Sequence, residues 1–593
     1  MDPTLPRTTK LGANVTLKLS SPRIHLIVPS FWHLLTAKNA TLAFSSEFPV
    51  PPHKIVLDSW PRSSLFCTGD VEMSKLFFQP ATAAVLRHRL NKRVERNALI
   101  IVVISLVLFA YWYLGTEEPA VLPFYPFETT SAFFPVAHDD AQNKTVEQLC
   151  ASFPSHLSQR IQPVLKMGHG ENRNMVDAQL QSVSACFGPD ELLVFSDLDE
   201  IIHGRHAVDI LANLPQAYRN KDAEGNANSD FVNYETMYAL SKEGKLTAEN
   251  DPARGKNGWR LDKYKFLAGA ERAWHMRPGR DFYVFYETDT YISWDNMFRF
   301  LSMLDPQTPL YMGSPSPGRH DDDRDADTWF ANGGPGYVLS RGAMEKLLRR
   351  RTSPKTGQFT DPPISLKFVD VVRSDPCGDS VLGWALWTAG VSLSGFFPLF
   401  NTYPAHSLPF TERLWCQPFL TMHKLKPEDL VRLWRWENSH RKLGSPLLYS
   451  DIYEFLPVAT PEIRYNWDNT NWDRLAPGQD THANTFEACK GACEASPSCF
   501  QYHWQGEETK KCVLQRFINL GVAKESETIK RKVPIPGPGG KKGRNGNKEQ
   551  QFRVVEEKLT YTSGWIKPRI DGWVKSHMCY APEWVYPSIE RHF

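Results

Sequence analysis

Three stretches of this 593-residue chain carry carboxylates at a spacing suited to metal chemistry: Asp197-Leu198-Asp199-Glu200, Glu287-Thr288-Asp289, and the run from His320 through Asp321, Asp322 and Asp323 to Asp325. Side chains i and i+2 of an extended chain point to one face. Each short motif can therefore offer two oxygens to a hard divalent cation such as Mg2+ or Mn2+. An acid pair at a strand end is equally well a solvated edge, so the pattern alone does not choose among the three. Further on, Asn332-Gly333-Gly334-Pro335-Gly336-Tyr337 reads as a glycine turn before a helix, where missing side chains also leave room for a ligand. Asp375-Pro376-Cys377-Gly378-Asp379 opens onto the apolar run WALWTAGV. Asp379 there suits a helix N-cap or a general base. His406 and His423 each offer an imidazole, which favours Mn2+ over Mg2+ when mixed with carboxylates, although a lone histidine is more often structural.

The elements that must hold these groups alternate between β-type and helical runs from about residue 155 to 460, as an α/β domain does. LLVFSDLDE reads as a buried strand with acids at its end. KYKFLAGAERAWHMR has helical spacing and stops at Pro278-Gly279, after which DFYVFYETDTYI starts a second β-type run. MFRFLSMLDP and GAMEKLLRRR read as helices, the first stopped by Pro306 and the second closing on cations that suit its dipole. With 23% charged and 41% hydrophobic residues the chain is neither disordered nor collagenous, and 68 basic against 66 acidic side chains give no electrostatic case for nucleic acid.

Residues 98–114, ALIIVVISLVLFAYWYL, contain no charge and end in Tyr111, Trp112 and Tyr113. Arg87, Arg89, Lys92, Arg93 and Arg96 precede this run, and Glu117 and Glu118 follow it. The length and flanks predict a transmembrane signal anchor with residues 1–97 in the cytosol and the rest in the lumen. A buried core helix or a cleaved signal peptide are the alternatives, and no small-residue cleavage site follows the run. The expected localisation is the Golgi or ER membrane. Residues 1–72 show no persuasive periodicity, so they are expected to be disordered or to precede a start at Met73. Residues 115–152 form a stem in which Asn143-Lys144-Thr145 is a glycosylation sequon.

The β-type run ending in Glu287-Thr288-Asp289, the helix after it, and the Gly333-Gly334-Pro335-Gly336-Tyr337 turn entering another helix appear in an order that resembles the Fringe-like glycosyltransferases of family 31. These include the core 1 β-1,3-galactosyltransferases, and the fungal members are the most similar. The resemblance spans about Gly258 to Glu437 and extends more loosely back to Phe153. It implies a GT-A type α/β catalytic domain over 153–465, with a mixed, mostly parallel sheet flanked by helices. It also implies metal-dependent, inverting transfer of a hexose, galactose in β-1,3 linkage, from a UDP-sugar to a glycan or glycoprotein. Carried over by residue, Asp289, Glu287 and His423 become the ligands of Mn2+ or another divalent cation, with His406 the competitor for the last place. Glu287 stands where the family has aspartate and is one methylene longer. Asp379 becomes the catalytic base, although Gly378 replaces the family's first acid. Gly333, Gly334, Gly336, Tyr337 and Trp329 become substrate contacts, and Asp197, Lys263 and Lys265 nucleotide contacts.

Ten cysteines, six of them after residue 400, suggest an oxidising compartment. FEACKGACEASPSCFQYHW…KKCVLQ followed by SGWIKPRI resembles a PAN/Apple domain. That resemblance implies a small disulfide-bonded α+β domain over 475–593, with Cys489 paired to Cys512 and Cys493 to Cys499, and a disordered insertion at 531–552. Four cysteines allow three pairings, and a zinc site is disfavoured by the absence of a Cys-x-x-Cys pair. Cys150 with Cys186 and Cys377 with Cys416 are further expected pairs, which leaves Cys579 over. An odd luminal cysteine points to a free thiol or to a bridge between chains, so a homodimer, disulfide-linked or non-covalent, is an expectation. The rival class is a catalytically idle glycan-binding protein, suggested by the departures at Glu287 and Gly378.

Overall fold

The computed structural model describes residues 105, 139–220, 228–470, 481–506, 509–534 and 552–590. The expected membrane span at 98–114 lies outside the described residues except at 105, and so do the expected cytosolic segment and most of the stem. Among the described residues no helix is long and apolar enough to cross a membrane.

The larger part of the fold, the one expected to be catalytic, is built on an eight-stranded sheet. Its central strands are β1 (Ile161–Lys166), β2 (Leu193–Ser196) and β5 (Phe282–Glu287), with β3 (Glu200–Ile202) and β4 (Arg205–Asp209) toward one edge. β7 (Tyr311–Gly313), β10 (Tyr337–Ser340) and β11 (Leu393–Gly395) complete the other side. β1 runs parallel to both β2 and β5, whereas β10 is antiparallel to β5 and β7. The sheet is thus mixed, with parallel pairing at its centre, as expected.

Alternation along β5 explains why FYVFYE becomes a strand with no polar face. Phe282, Val284 and Tyr286 enter one apolar core and Tyr283 and Phe285 the other. A period of two distributes them to opposite faces, and layers on both faces keep both sets dry. Between β2 and β5 the chain forms α1 (Lys256–Asp262) and α2 (Lys265–Met276), and α2 buries Phe266, Leu267, Ala270 and Ala273. On α2, a Cβ at Gly269 would meet Phe195 of β2 at 3.6 Å, so the helix lies close on the sheet. Further along come α3 (Trp294–Ser302), α4 (Gly378–Thr388) and α5 (Pro427–His440).

A smaller three-stranded sheet joins β6 (Tyr291–Ile292) to β13 (Thr421–Met422) and β12 (Phe400–Asn401). β8 (Pro315–Asp321) and β9 (Ala326–Ala331) form a separate hairpin whose turn contains the third acidic run. Asp322 and Asp325 are fully exposed there, and Asp321 accepts hydrogen bonds from Trp387 and Arg324.

A second, five-stranded sheet begins at β14 (Ile463–Tyr465), ahead of the expected boundary at 475. Disulfides Cys489–Cys512 and Cys493–Cys499 lie beside it, and all four cysteines are buried. Of the expected insertion, 531–534 end one strand (Glu527–Pro534), 552 opens its partner (Phe552–Leu559), and 535–551 lie outside the described residues. After the last helix (Lys567–Ser576) the chain returns to the larger part, where Trp584 stacks on Phe300 and Ser588 pairs with Phe396.

This return corrects one expected pairing. Cys416 is bridged to Cys579, across 163 residues, and among the described residues Cys377 is the free, exposed thiol. The returning tail delivers Cys579 to Cys416, with the Glu583 amide donating to the Cys416 carbonyl. Cys150 bridges Cys186. Asn143 is exposed, and Thr145 of its sequon forms a capping box with Gln148 at the start of the helix Val146–Cys150.

Candidate active site

β5 delivers Glu287 to the end of the sheet, and a tight turn follows. Thr290 closes that turn, its amide donating to the Glu287 carbonyl and its hydroxyl accepting from the Glu287 amide. The same hydroxyl donates to the Gly334 carbonyl at 2.6 Å, so the acidic turn and the glycine loop are clamped together. His423 arrives from the other direction. β13 pairs antiparallel with β6, and Lys424 then adopts a left-handed conformation (φ 62°) while the Leu425 amide donates to the Asp289 carbonyl.

The result is a cluster in which Glu287, Asp289 and His423 each place one ligand atom within 4.8 Å of the others; among the described residues no other such group of metal-capable side chains occurs. The His423 Nε2 lies 3.4 Å from Asp289 Oδ2. Two carboxylates and an imidazole, each partly open to solvent, form a donor set that fits a divalent transition ion such as Mn2+. His406, the competing histidine, lies in a different cavity.

The glycines have specific spatial reasons. A Cβ at Gly334 would sit 1.9 Å from His423 Cε1, so only glycine admits the imidazole. One at Gly333 would press on the Phe266 ring at 2.8 Å. Gly378, the departure from the family's acid, faces Phe266 at 2.4 Å and the Lys263 carbonyl at 2.6 Å, so no acidic side chain fits there.

Asp379 lies in the first turn of α4, where the positive end of the helix dipole favours a carboxylate. The N-cap position belongs to Cys377, and Asp375 accepts from the Cys377 amide, so capping does not occupy Asp379. Its Oδ2 accepts from the Gly333 amide at 2.9 Å and its Oδ1 from the Ser380 amide. Burial raises its proton affinity above that of an ordinary carboxyl, although the two amides pull the other way. A half-buried carboxylate held by two amides retains a lone pair for a proton, as a general base requires.

Both groups line one cavity of about 590 Å3, in the size range of small-molecule sites. Its wall includes residues that the sequence patterns did not single out. Lys166, at the end of β1, is 10% exposed and reaches both Asp262 oxygens at 2.5 Å and Glu287 Oε1 at 2.9 Å. Its ammonium lies 4.4 Å from the Phe266 ring centroid, and the two carboxylates raise its proton affinity against the opposing effect of burial. Burial raises the proton affinity of Glu287, a trend that Lys166 counters and Asp262 reinforces. Glu171 accepts from the Thr288 hydroxyl and the Gly168 amide, and Trp259 of α1 stands on the rim, 63% exposed. Lys166 closes the strand IQPVLK, whose Gln162 and Pro163 hide its β-type pattern, so only the lysine at the end of a short apolar stretch was available as a signal. Nothing local marks Glu171.

Other expected contacts fall elsewhere. Asp197 is 1% exposed and accepts from Lys265 and the His169 amide, which uses it to fix the loop after β1 instead of facing the cavity. Lys265 and Lys263 border the cavity, but Lys265 is committed to Asp197 and the Met167 carbonyl, and Lys263 to the Arg373 carbonyl. Gly333 and Gly334 line the cavity. Gly336 (φ 78°) makes the turn instead, and Tyr337 is buried against Phe285. Trp329 lies on β9, opposite Pro317 of the hairpin. Gly336 and Tyr337 are set by packing, because the strand that follows the glycine turn is buried throughout, whereas Trp329 precedes the turn, half-buried on the hairpin, and does not line the cavity.

Residues 241–372 match the family model described as Fringe-like. No curated protein matches the chain. The matched segment contains β5, the Glu287 to Asp289 turn and the glycine loop, and it ends ahead of Asp379 and His423. Fringe-like enzymes use UDP-sugar donors and usually a divalent metal, and the match supports glycosyltransferase activity in general, with a nucleotide-sugar donor and a glycan acceptor.

Proposed function

We propose that this protein is a metal-dependent inverting hexosyltransferase that moves a sugar, galactose in β-1,3 linkage, from a UDP-sugar to a glycan or glycoprotein hydroxyl. The observation that carries this reading is the meeting of Asp379 and the Glu287, Asp289 and His423 set around one cavity, with Gly333 between them. A bound divalent cation would neutralise charge on the departing diphosphate. Asp379 takes the proton of the acceptor hydroxyl. The oxygen so freed forms the new bond to the anomeric carbon, and the old bond breaks with its electron pair leaving on UDP. One base and a single displacement invert the anomeric centre, so an α-linked donor yields a β-linked product.

We place the enzyme as a single-pass type II protein of the Golgi or ER. Support comes from the uncharged run at 98–114 with its cationic flank, and from the four disulfides, which suit an oxidising lumen. The C-terminal part is proposed as a PAN/Apple-like binding domain. The ion pair between Lys166 and Glu287 favours a second reading, an idle glycan-binding protein, because it occupies one oxygen of a candidate ligand.

The test is UDP release from a panel of UDP-sugars with Mn2+ and glycan acceptors. Metal-dependent release that Asp289→Ala abolishes supports the transferase. No release with any donor, together with unchanged nucleotide affinity in Asp289→Ala, supports the idle binder.

A further inference from the structure

The catalytic part and the second sheet meet along a seam that encloses another cavity, of about 310 Å3. The catalytic part contributes His406, Lys426, Asp429, Arg432 and Phe455 to its wall, and the second part contributes Arg464 and Trp467. Three cations therefore face one acid. Arg464 donates to the carbonyls of Pro457 and Thr460 at 2.8 and 2.7 Å, with its guanidinium 4.6 Å from the Trp467 ring centroid. Its Nε is buried without a hydrogen-bond partner, and no carboxylate among the described residues is paired with it. Burial accordingly lowers its proton affinity with nothing opposing. Lys426 is exposed and likewise has no ion pair among the described residues. It sits at the N-cap of α5, where a cation opposes the helix dipole. Arg432 reaches Asp429 only at 3.9 Å and otherwise lies over the Phe455 ring.

Three cations against one carboxylate leave the wall of this concave site net positive, and a positive concave wall concentrates anions. We propose that the seam cavity binds the acidic substituent of a saccharide, a carboxylate or a phosphate, with Arg464, Lys426 and Arg432 as its cationic wall and Trp467 and Phe455 as flat apolar faces. That the anion is carried on a saccharide rests on the transferase reading; that the cavity takes an anion rests on its charge and shape. Lys426 follows His423 by three residues, so their Cα atoms are at most about 11 Å apart. The seam site is thus close in sequence to the metal-ligand cluster, and on the transferase reading the second part of the chain becomes a selector of acceptors.

The experiment measures binding of the full-length protein to three labelled oligosaccharides of equal length, ending in glucuronic acid, in mannose 6-phosphate or in a neutral hexose. At least one acidic probe is expected to bind about tenfold tighter than the neutral one, the worth of one charge-assisted hydrogen bond. The preference shrinks with added salt and under competition by inorganic phosphate. The two acidic arms separate carboxylate from phosphate. Lys426→Glu and Arg432→Glu, both at exposed side chains, cancel the preference, whereas Asp289→Ala leaves it intact. Equal binding of all three probes, or a preference that survives both charge reversals, overturns the proposal. UDP-sugar turnover without acidic preference sinks this inference alone, and acidic preference without turnover sinks the transferase reading alone.

Discussion

Gly334 decides whether His423 can join the carboxylates, because the space a methyl group would need is filled by the imidazole. Gly334→Ala is therefore expected to displace His423 and weaken Mn2+ binding at least tenfold, read by electron paramagnetic resonance titration; unchanged affinity would remove His423 from the ligand set. Asp379→Asn keeps the size of the side chain but, with a single acceptor oxygen, keeps only one of the two amide contacts, to Gly333 or to Ser380, and removes the proton acceptor. Turnover should fall by about 10²–10⁴-fold with donor affinity retained. The pH profile supplies an independent check. Burial raises the Asp379 proton affinity, so the ionised base accumulates only above the usual carboxyl value of about 3.9, and the rate climbs with pH through that raised value. The sign for stability is opposite: a carboxyl whose proton affinity is raised by burial contributes less stability once it ionises, so the wild type should lose stability as pH rises through that value, a loss absent in Asp379→Asn and read from melting temperature against pH. Cys377, free and on the cavity wall, should be alkylated in the native protein and protected by UDP-sugar with Mn2+. Equal labelling rates with and without donor would place the donor away from α4.

At the scale of elements, two devices hold the site. One is the Lys166 bridge between β1, β5 and α1, which joins Glu287 and Asp262 through a single ammonium. Lys166→Met leaves two carboxylates without their counter-ion. Removing one member of a buried pair costs about 3–5 kcal/mol, and the partial exposure of both acids brings the expectation to about 2–3 kcal/mol, measured by chemical denaturation. The other device is the short pairing of β6 with β13, which carries His423 to Asp289. Local pattern made the long elements legible. The helix over Lys265–Met276 and the strand over Phe282–Glu287 follow from apolar spacing of 3.6 and 2. Two-residue strands such as β6 and β13 have no such signature, because their partners rather than their own composition define them.

For the whole molecule, near neutrality conceals an uneven distribution of charge: acids at the head of β5, exposed acids on the β8–β9 turn, and cations along the seam. The C-terminal part is not a detachable appendage, since its tail returns to place Trp584 on Phe300 and to bridge Cys579 with Cys416. Cys579→Ser should cost about 2–4 kcal/mol and lower the melting temperature, while removal of 463–593 should expose apolar surface and yield aggregated or protease-sensitive protein. A truncated chain that melts as high as the full one would show the two parts to be independent.

The strands over Leu193–Ser196 and Phe282–Glu287, the helix over Lys265–Met276, the acids at the end of β5 and the existence of the glycine turn were determined by the sequence itself, since periodicity and turn chemistry act over a few residues; the turn was expected to enter a helix, yet a buried strand, Tyr337–Ser340, comes first because it pairs with β5 and β7. Which acids share a site was decided only by the tertiary structure. Asp197, Glu287 and Asp321 all follow or end β-type runs, yet Asp197 is spent on Lys265, Asp321 on Arg324 and Trp387, and Glu287 alone meets a second acid and a histidine. The reason is physical: a carboxylate's role depends on the charges and cavities brought to it from distant parts of the chain. Lys166, Asp262 and His423 reach Glu287 and Asp289 through sheet register and helix packing, which no local pattern records.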